Sequence, residues 1–257
     1  MLKSWLNSPS GLWLHPRTWW FGLLRWRCQG AVQSGPFSGM KYPGVSIGSN
    51  SPPKLLGTYE LELHDCIKSL IREKWSKAIV VGAAEGYYAV GVAAHVGCPV
   101  VAFEQEESGH KWLRKMAEHN GMGALVEIRG RCESTDLQEA ISKEGANLII
   151  MDVEGYETVL LGSLPTTAVR ESTLLIEIHE GVDRQVTAMI HSKFSSTHDI
   201  TEYMTRERKV EDFTGPRWLS KIAIQKAWVT SAMDESRGGP MTWILLQPKS
   251  NEIPYRG

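Results

Sequence analysis

The chain carries short apolar runs that each stop at a small or acidic residue. Ala78-Ile79-Val80-Val81 meets Gly82, Val100-Val101-Ala102-Phe103 meets Glu104, and Leu148-Ile149-Ile150-Met151 meets Asp152. A further run over 173–178 closes on Glu177-Ile178-His179-Glu180. Strands that are apolar on both sides are buried on both faces, as in parallel sheets covered by helices. Helix-patterned segments lie between the runs, over 108–120, 135–143, 156–161 and 184–194. A weaker run over 125–128 and two late ones over 198–203 and 242–246 bring the strand count to seven. This β-α alternation predicts an α/β fold, a Rossmann-like three-layer α-β-α sandwich. Its seven-stranded sheet is mainly parallel, with the last strand antiparallel.

At 257 residues, 42% of them apolar, the chain is long enough for one sizeable domain and a small appendage. Its net charge of −1 gives no global field for nucleic acid. The charge is unevenly spread: residues 1–59 hold six basic residues and no acid. Cys28, Cys66, Cys98 and Cys132 lie far apart, which suggests neither a zinc knuckle nor a disulfide framework. No apolar run reaches the roughly 18 residues that span a bilayer, and Trp19 to Leu24 is too short for a signal-peptide core. A cytoplasmic protein is expected.

Five of the ten tryptophans fall within residues 1–30, interleaved with basic residues. Such an arm suits peripheral contact with a membrane interface, or packing onto the domain or onto a second copy in a homo-oligomer. Residues 31–57 are rich in Gly, Pro and Ser and read as loop or linker. Thr58 is placed to cap a helix over 59–75, in which Leu63, Ile67, Leu70 and Ile71 share one face. The expected division is therefore an arm and linker over 1–57 and a domain over 58–257. A polar insertion at 206–239 contains Trp218 and Trp228.

Ligands of open α/β sheets bind beyond the carboxyl ends of the strands. Gly82-Ala83-Ala84-Glu85-Gly86-Tyr87 joins the first strand to a helix, and its small residues admit a ligand close to the backbone. Glu104, twenty-two residues after Gly82, is placed to accept hydrogen bonds from the ribose hydroxyls of an adenosine cofactor. Cys132 and Glu133 follow the third strand, where an adenine ring would lie. Asp152, Glu154, Glu177 and His179 end two neighbouring strands and are expected to converge. They could orient a substrate hydroxyl or amine, supply a general base through His179, or ligate a divalent cation; no metal is assigned. Glu157 reads as the start of a helix, where its charge suits the dipole. His198 is a second candidate at the rim.

This order of motifs resembles the FkbM-type branch of class I S-adenosylmethionine-dependent methyltransferases. The resemblance covers residues 58–205 and rests on the Val80-to-Tyr87 loop, Glu104, Asn120 and Asp152-Val153-Glu154-Gly155-Tyr156-Glu157, followed by Ile176-Glu177-Ile178-His179. It implies S-adenosylmethionine as cofactor, held by Gly82, Ala83, Ala84, Glu85, Gly86, Tyr87, Glu104, Cys132 and Asp152. It also implies methyl transfer to a hydroxyl of a glycan or small natural product, with His179, Asp152 and Glu154 as the catalytic group. Val80 stands where that family carries an acid before the loop, and Glu85 where it carries Asn. Glu85 or a loop carbonyl would then hold the cofactor's amino group. Two other readings compete: a methyltransferase-like binding or scaffold domain, and an oxidoreductase on a dinucleotide fold, although the loop lacks G-x-G-x-x-G.

Overall fold

A computed structural model of the protein describes Trp26 and residues 29–141, 144–214, 229–235, 239 and 241–249. The Trp-rich arm thus lies outside the described residues apart from Trp26, Gln29 and Gly30, and so do Cys28, Trp218 and Trp228. No described helix is long and apolar enough to cross a membrane.

The chain divides into two compact units. One takes in residues 1–59 and 208–236. Within the stretch expected as loop or linker, it contains a helix, α1 (Ser51–Leu56), and a bridge between Ala31 and Lys41. Val32, Phe37, Met40, Leu55 and Leu56 are buried there. The two chain segments of this unit are tied by Asn50 Nδ2 donating to Asp234 O (2.8 Å) and Thr214 Oγ1 donating to Leu56 O (2.9 Å). Thr58 does not cap a helix as the sequence suggests. It is fully buried, and its N–H closes the end of α1 by donating to Pro53 O (2.8 Å).

The second unit holds the seven-stranded sheet, in the order β3-β2-β1-β4-β5-β7-β6. The strands are β1 (Lys77–Val81), β2 (Val100–Phe103), β3 (Val126–Arg129), β4 (Asn147–Met151), β5 (Ser172–Ile178), β6 (His198–Met204) and β7 (Thr242–Pro248). Pairings from β3 through β5 are parallel, and β7 runs antiparallel to both β5 and β6. The fold is thus Rossmann-like, as the apolar runs require. Its helices are α2 (His64–Leu70), α3 (Tyr87–Val96), α4 (Glu107–His119), α5 (Ser134–Ala140), α6 (Glu157–Ser163) and α7 (Val186–Phe194). The order reverses between β1 and β4, and right-handed crossovers then send the helices before and after that point to opposite faces.

Two helices are shorter than their apolar pattern suggests, and a side chain donates to the last carbonyl of each. Trp75 Nε1 donates to Leu70 O (2.7 Å) at the end of α2, and Lys77 Nζ donates to Ala140 O (2.9 Å) at the end of α5. The segment 61–63 ahead of α2 is a tighter 3₁₀ turn.

Register positions the site. Phe103, Val81, Met151 and Ile176 lie level across four neighbouring strands. The next residues, Glu104, Gly82, Asp152 and Glu177, therefore form a row at the carboxyl ends. Asp152 N donates to Val81 O (2.9 Å), so β4 stays bonded to β1 one residue further. A Cβ on Gly82 would stand 1.6 Å from Asp152 O, and its φ of 80° already disfavours a side chain. Gly82→Ala should cost at least about 2 kcal/mol in denaturant unfolding. Gly162→Ala, at an open position in α6 where an added Cβ meets nothing within 4 Å, should gain about 0.5–1 kcal/mol.

Candidate functional site

The loop after β1 is held from below. Gly82 N (3.0 Å) and Ala83 N (2.9 Å) both donate to Phe103 O, and Ala84 adopts a left-handed φ of 47°. Ala83, Glu85 and Tyr87 are buried, whereas Gly82 and Ala84 stay partly open. Glu85 is fully enclosed, so the position expected to reach a cofactor's amino group is turned inward. Val80 is likewise buried, between Ala102 and Ile150 on the neighbouring strands.

Glu104 is nearly buried and fastened to both sides of its crevice. Its Oε2 accepts from Ala84 N (2.7 Å) and its Oε1 from Glu106 N (2.8 Å). An ionised carboxylate has about four acceptor positions, so one remains on each oxygen for a ligand's hydroxyls. Helix α4 comes close enough to hold it because Gly109 has no side chain: a Cβ there would lie 2.5 Å from Glu104 Cγ. His110 Nε2 sits 2.6 Å from Glu104 O. Gly109 escapes sequence reasoning because a glycine in a polar helix carries no pattern of its own.

Cys132 belongs to the hydrophobic core beneath α5, and burial pushes its thiol up to about 12. Its side chain is thus buried rather than exposed on the surface. Arg131, Glu133 and Tyr156 lie more exposed and contact one another. The Arg131 guanidinium lies 4.7 Å from the Tyr156 ring centre, and Tyr156 Oη donates to Glu133 Oε2 (2.9 Å).

Asp152, Glu154 and His179 meet at the ends of β4 and β5. His179 Nε2 stands 3.4 Å from Glu154 Oε2 and 3.7 Å from Asp152 Oδ1. Asp152 also interacts with Glu177, which is buried on β5. The residue missing from the sequence-derived set is Glu157. It is fully buried at the start of α6, and its Oε1 takes a 2.5 Å hydrogen bond from His179 Nδ1. The same oxygen accepts from Gly155 N (3.2 Å). The signal was present as a third carboxylate in the hexapeptide, but a charge in a first helical turn has a sufficient explanation in the helix dipole.

His198 does not reach this site. It lies at the start of β6, beside the amino end of β5, where its Nε2 is 3.1 Å from Ser172 O and 3.2 Å from Val169 O. Thr197 Oγ1 is 2.8 Å from its Nδ1. It is a structural histidine joining the far end of the sheet.

Electrostatics follow from this crowding of acids. Burial, reinforced by Glu177, holds the Asp152 carboxyl well above the usual range. For His179, burial disfavours the charged imidazole. The Glu157 hydrogen bond and the charges of Asp152, Glu157 and Glu177 outweigh it and raise the pKa to about 9.

Folding therefore tightens the proton on His179 relative to an exposed imidazole near 6.5. That contribution to stability is complete below pH 6.5 and is lost as pH rises through about 9. Between those values the wild-type chain should lose more thermal stability than His179→Gln, measured as the difference in Tm at each pH.

No family model matches the chain, and no curated protein matches it. Solved structures with a similar course include a precorrin-6y C5,15-methyltransferase from Geobacter metallireducens. It has a TM-score of 0.49 and 8% identity, over 75% of this chain and 88% of that one. A putative rRNA-methylase from Clostridium thermocellum gives 0.48 and 10%, over 74% and 96%. A putative O-methyltransferase from Klebsiella pneumoniae gives 0.47 and 12%, over 72% and 79%.

Proposed function

We propose that the chain binds S-adenosylmethionine across the ends of β1, β2 and β4 and transfers its methyl group to an acceptor oxygen. A hydroxyl of a sugar or natural product is the acceptor class. The row of Gly82, Glu104 and Asp152 at the switch point carries this reading. It places an open backbone, a fastened carboxylate with an acceptor position left on each oxygen, and an acidic cluster side by side. A nucleoside with a charged sulfonium arm needs such a sequence of surfaces.

Methyl transfer is an in-line displacement. The acceptor oxygen forms a bond to the methyl carbon while the carbon–sulfur bond breaks, and the sulfonium becomes a neutral thioether. The chain's part is to bind, align and exclude water. Asp152 and Glu154 flank the place where an acceptor hydroxyl would approach. His179 Nε2 is the ring nitrogen turned towards them and, in the neutral imidazole that prevails above about pH 9, the atom placed to take the hydroxyl's proton.

The scaffold reading has one observation in its favour. Val80 is buried in β1, so no acid stands two residues before Gly82.

Thermal shift with S-adenosylmethionine, S-adenosylhomocysteine, NAD and NADP separates these readings. A ligand at a hundred times its Kd adds about 2.7 kcal/mol. Stabilisation by the first two alone is expected; a response to NAD or NADP overturns the assignment, and silence from all four favours the scaffold. Glu104→Gln should weaken S-adenosylhomocysteine at least about tenfold, or 1.4 kcal/mol. Exposed Glu106→Gln should leave the affinity unchanged.

A further inference from the structure

We infer that Asp152, Glu154 and His179 form a binding site for a divalent transition cation, with Glu157 as its outer support. The site coincides with the acceptor side of the proposed methyltransferase, but its occupation does not depend on that reaction.

Donor geometry is the first argument. Two donors about 2.1 Å from one ion lie about 3.0 Å apart at a right angle and about 3.4 Å apart at the tetrahedral angle. His179 Nε2 is 3.4 Å from Glu154 Oε2 and 3.7 Å from Asp152 Oδ1, and the three donor atoms all lie within 4.8 Å of one another. The two His179 distances lie within a few tenths of an ångström of that geometry, and the Asp152–Glu154 pair closes by rotation of the Glu154 side chain. Glu154 is exposed and can supply that rotation, whereas the imidazole is almost enclosed.

Histidine orientation is the second. A ligating imidazole generally gives its other N–H to a carboxylate or carbonyl, which fixes the ring and aims the free lone pair. Here Nδ1 is committed to the fully buried Glu157, so Nε2 is the nitrogen left to face the two carboxylates.

The third is an unmet demand. Asp152 Oδ1 is closed off from solvent and has no hydrogen-bond partner, and Glu157 Oε2 is in the same state. Buried carboxylate oxygens without partners are costly and rare. Among the described residues, the ion pairs of Asp152, Glu154 and Glu157 all run to the same imidazole. A divalent cation touching Asp152 Oδ1 would satisfy that oxygen.

Two oxygens and one imidazole nitrogen suit Mn2+ or Zn2+ better than Mg2+, which prefers an all-oxygen shell. With a cation on Nε2, His179 would no longer serve as the base; an acceptor hydroxyl bound to the cation would be more acidic and would give its proton to solvent.

The test is titration of the chelator-stripped full chain with Mn2+ alone, followed by calorimetry and by loss of the free-ion paramagnetic signal. One Mn2+ per chain is expected. Glu154→Gln and His179→Gln should each weaken it at least tenfold, Glu157→Gln should weaken it by tenfold or more through the ring's orientation, and Glu127→Gln on the exposed side of β3 should leave it unchanged. Mg2+ should displace Mn2+ only in large excess. Glu154 is exposed, so its variant keeps the fold, and each variant's Tm is read alongside. Absence of stoichiometric binding, equal affinity in Glu154→Gln and His179→Gln, or displacement by equimolar Mg2+ overturns the site. Because the titration contains no cofactor, failure of the cation site and failure of S-adenosylmethionine binding are read separately.

Discussion

Gly82 and the main-chain carbonyl of Asp152 are pressed together so closely that no side chain fits between them. These residues are 70 positions apart in the chain, yet the arrangement of the site depends on their contact. It lies where the sheet reverses its order, so the chain leaves β1 and β4 towards opposite faces and a crevice opens between. The bond from Asp152 N to Val81 O carries the pairing to the lip of that crevice. Sheet geometry thereby becomes site geometry: the position of Asp152, and through it the distance to His179, is set by how tightly β1 and β4 can close.

That closeness has an electrostatic consequence. Asp152, Glu157 and Glu177 are brought together with little solvent, and Glu154 stands over them. The fold answers locally with the Gly155 N–H, the start of α6 and the His179 ring. These contacts hold Glu157, but Asp152 keeps its proton far into the range where carboxyls are normally ionised. A pocket in this state favours positive guests. A sulfonium cofactor and a divalent cation share that property, so the readings of the site draw on one physical cause and can be satisfied side by side.

Much of the fold was legible because the strands are buried on both faces, which leaves an unbroken apolar run in the sequence. The small loop and the strand-end acids were legible for a related reason: polar residues directly after such a run have nowhere to go but the sheet's edge. Glu157, Gly109 and His198 were not legible. Glu157 and Gly109 sit in helical first turns, where an acid or a small residue is unremarkable, and their roles come from partners 22 and 5 residues away. His198 looked like a rim residue because it begins a strand. Yet β6 lies at the sheet's outer edge, and the start of that strand falls beside the amino end of β5. Residues over 31–57 misled for a different reason. Composition rich in Gly and Pro reports turns, but turns can enclose a core, as Val32, Phe37 and Leu55 do.

Glu154 is the residue whose backbone argues most directly for a role. Its φ of 51° is left-handed, a conformation that glycine adopts without cost and that costs other residues about 1–2 kcal/mol. The turn is fixed by its surroundings: Tyr156 N donates to Val153 O (3.2 Å), and Gly155 N is held by Glu157. None of these bonds uses the Glu154 side chain, which projects into solvent with its carboxylate 3.4 Å from His179 Nε2. Folding alone would be served at least as well by glycine at this position. A long acidic side chain there keeps the strain and adds negative charge to a cluster already crowded with it. The compensation has to come from what the carboxylate touches when the site is filled, and its position opposite Nε2 makes a cationic guest the species that would supply it.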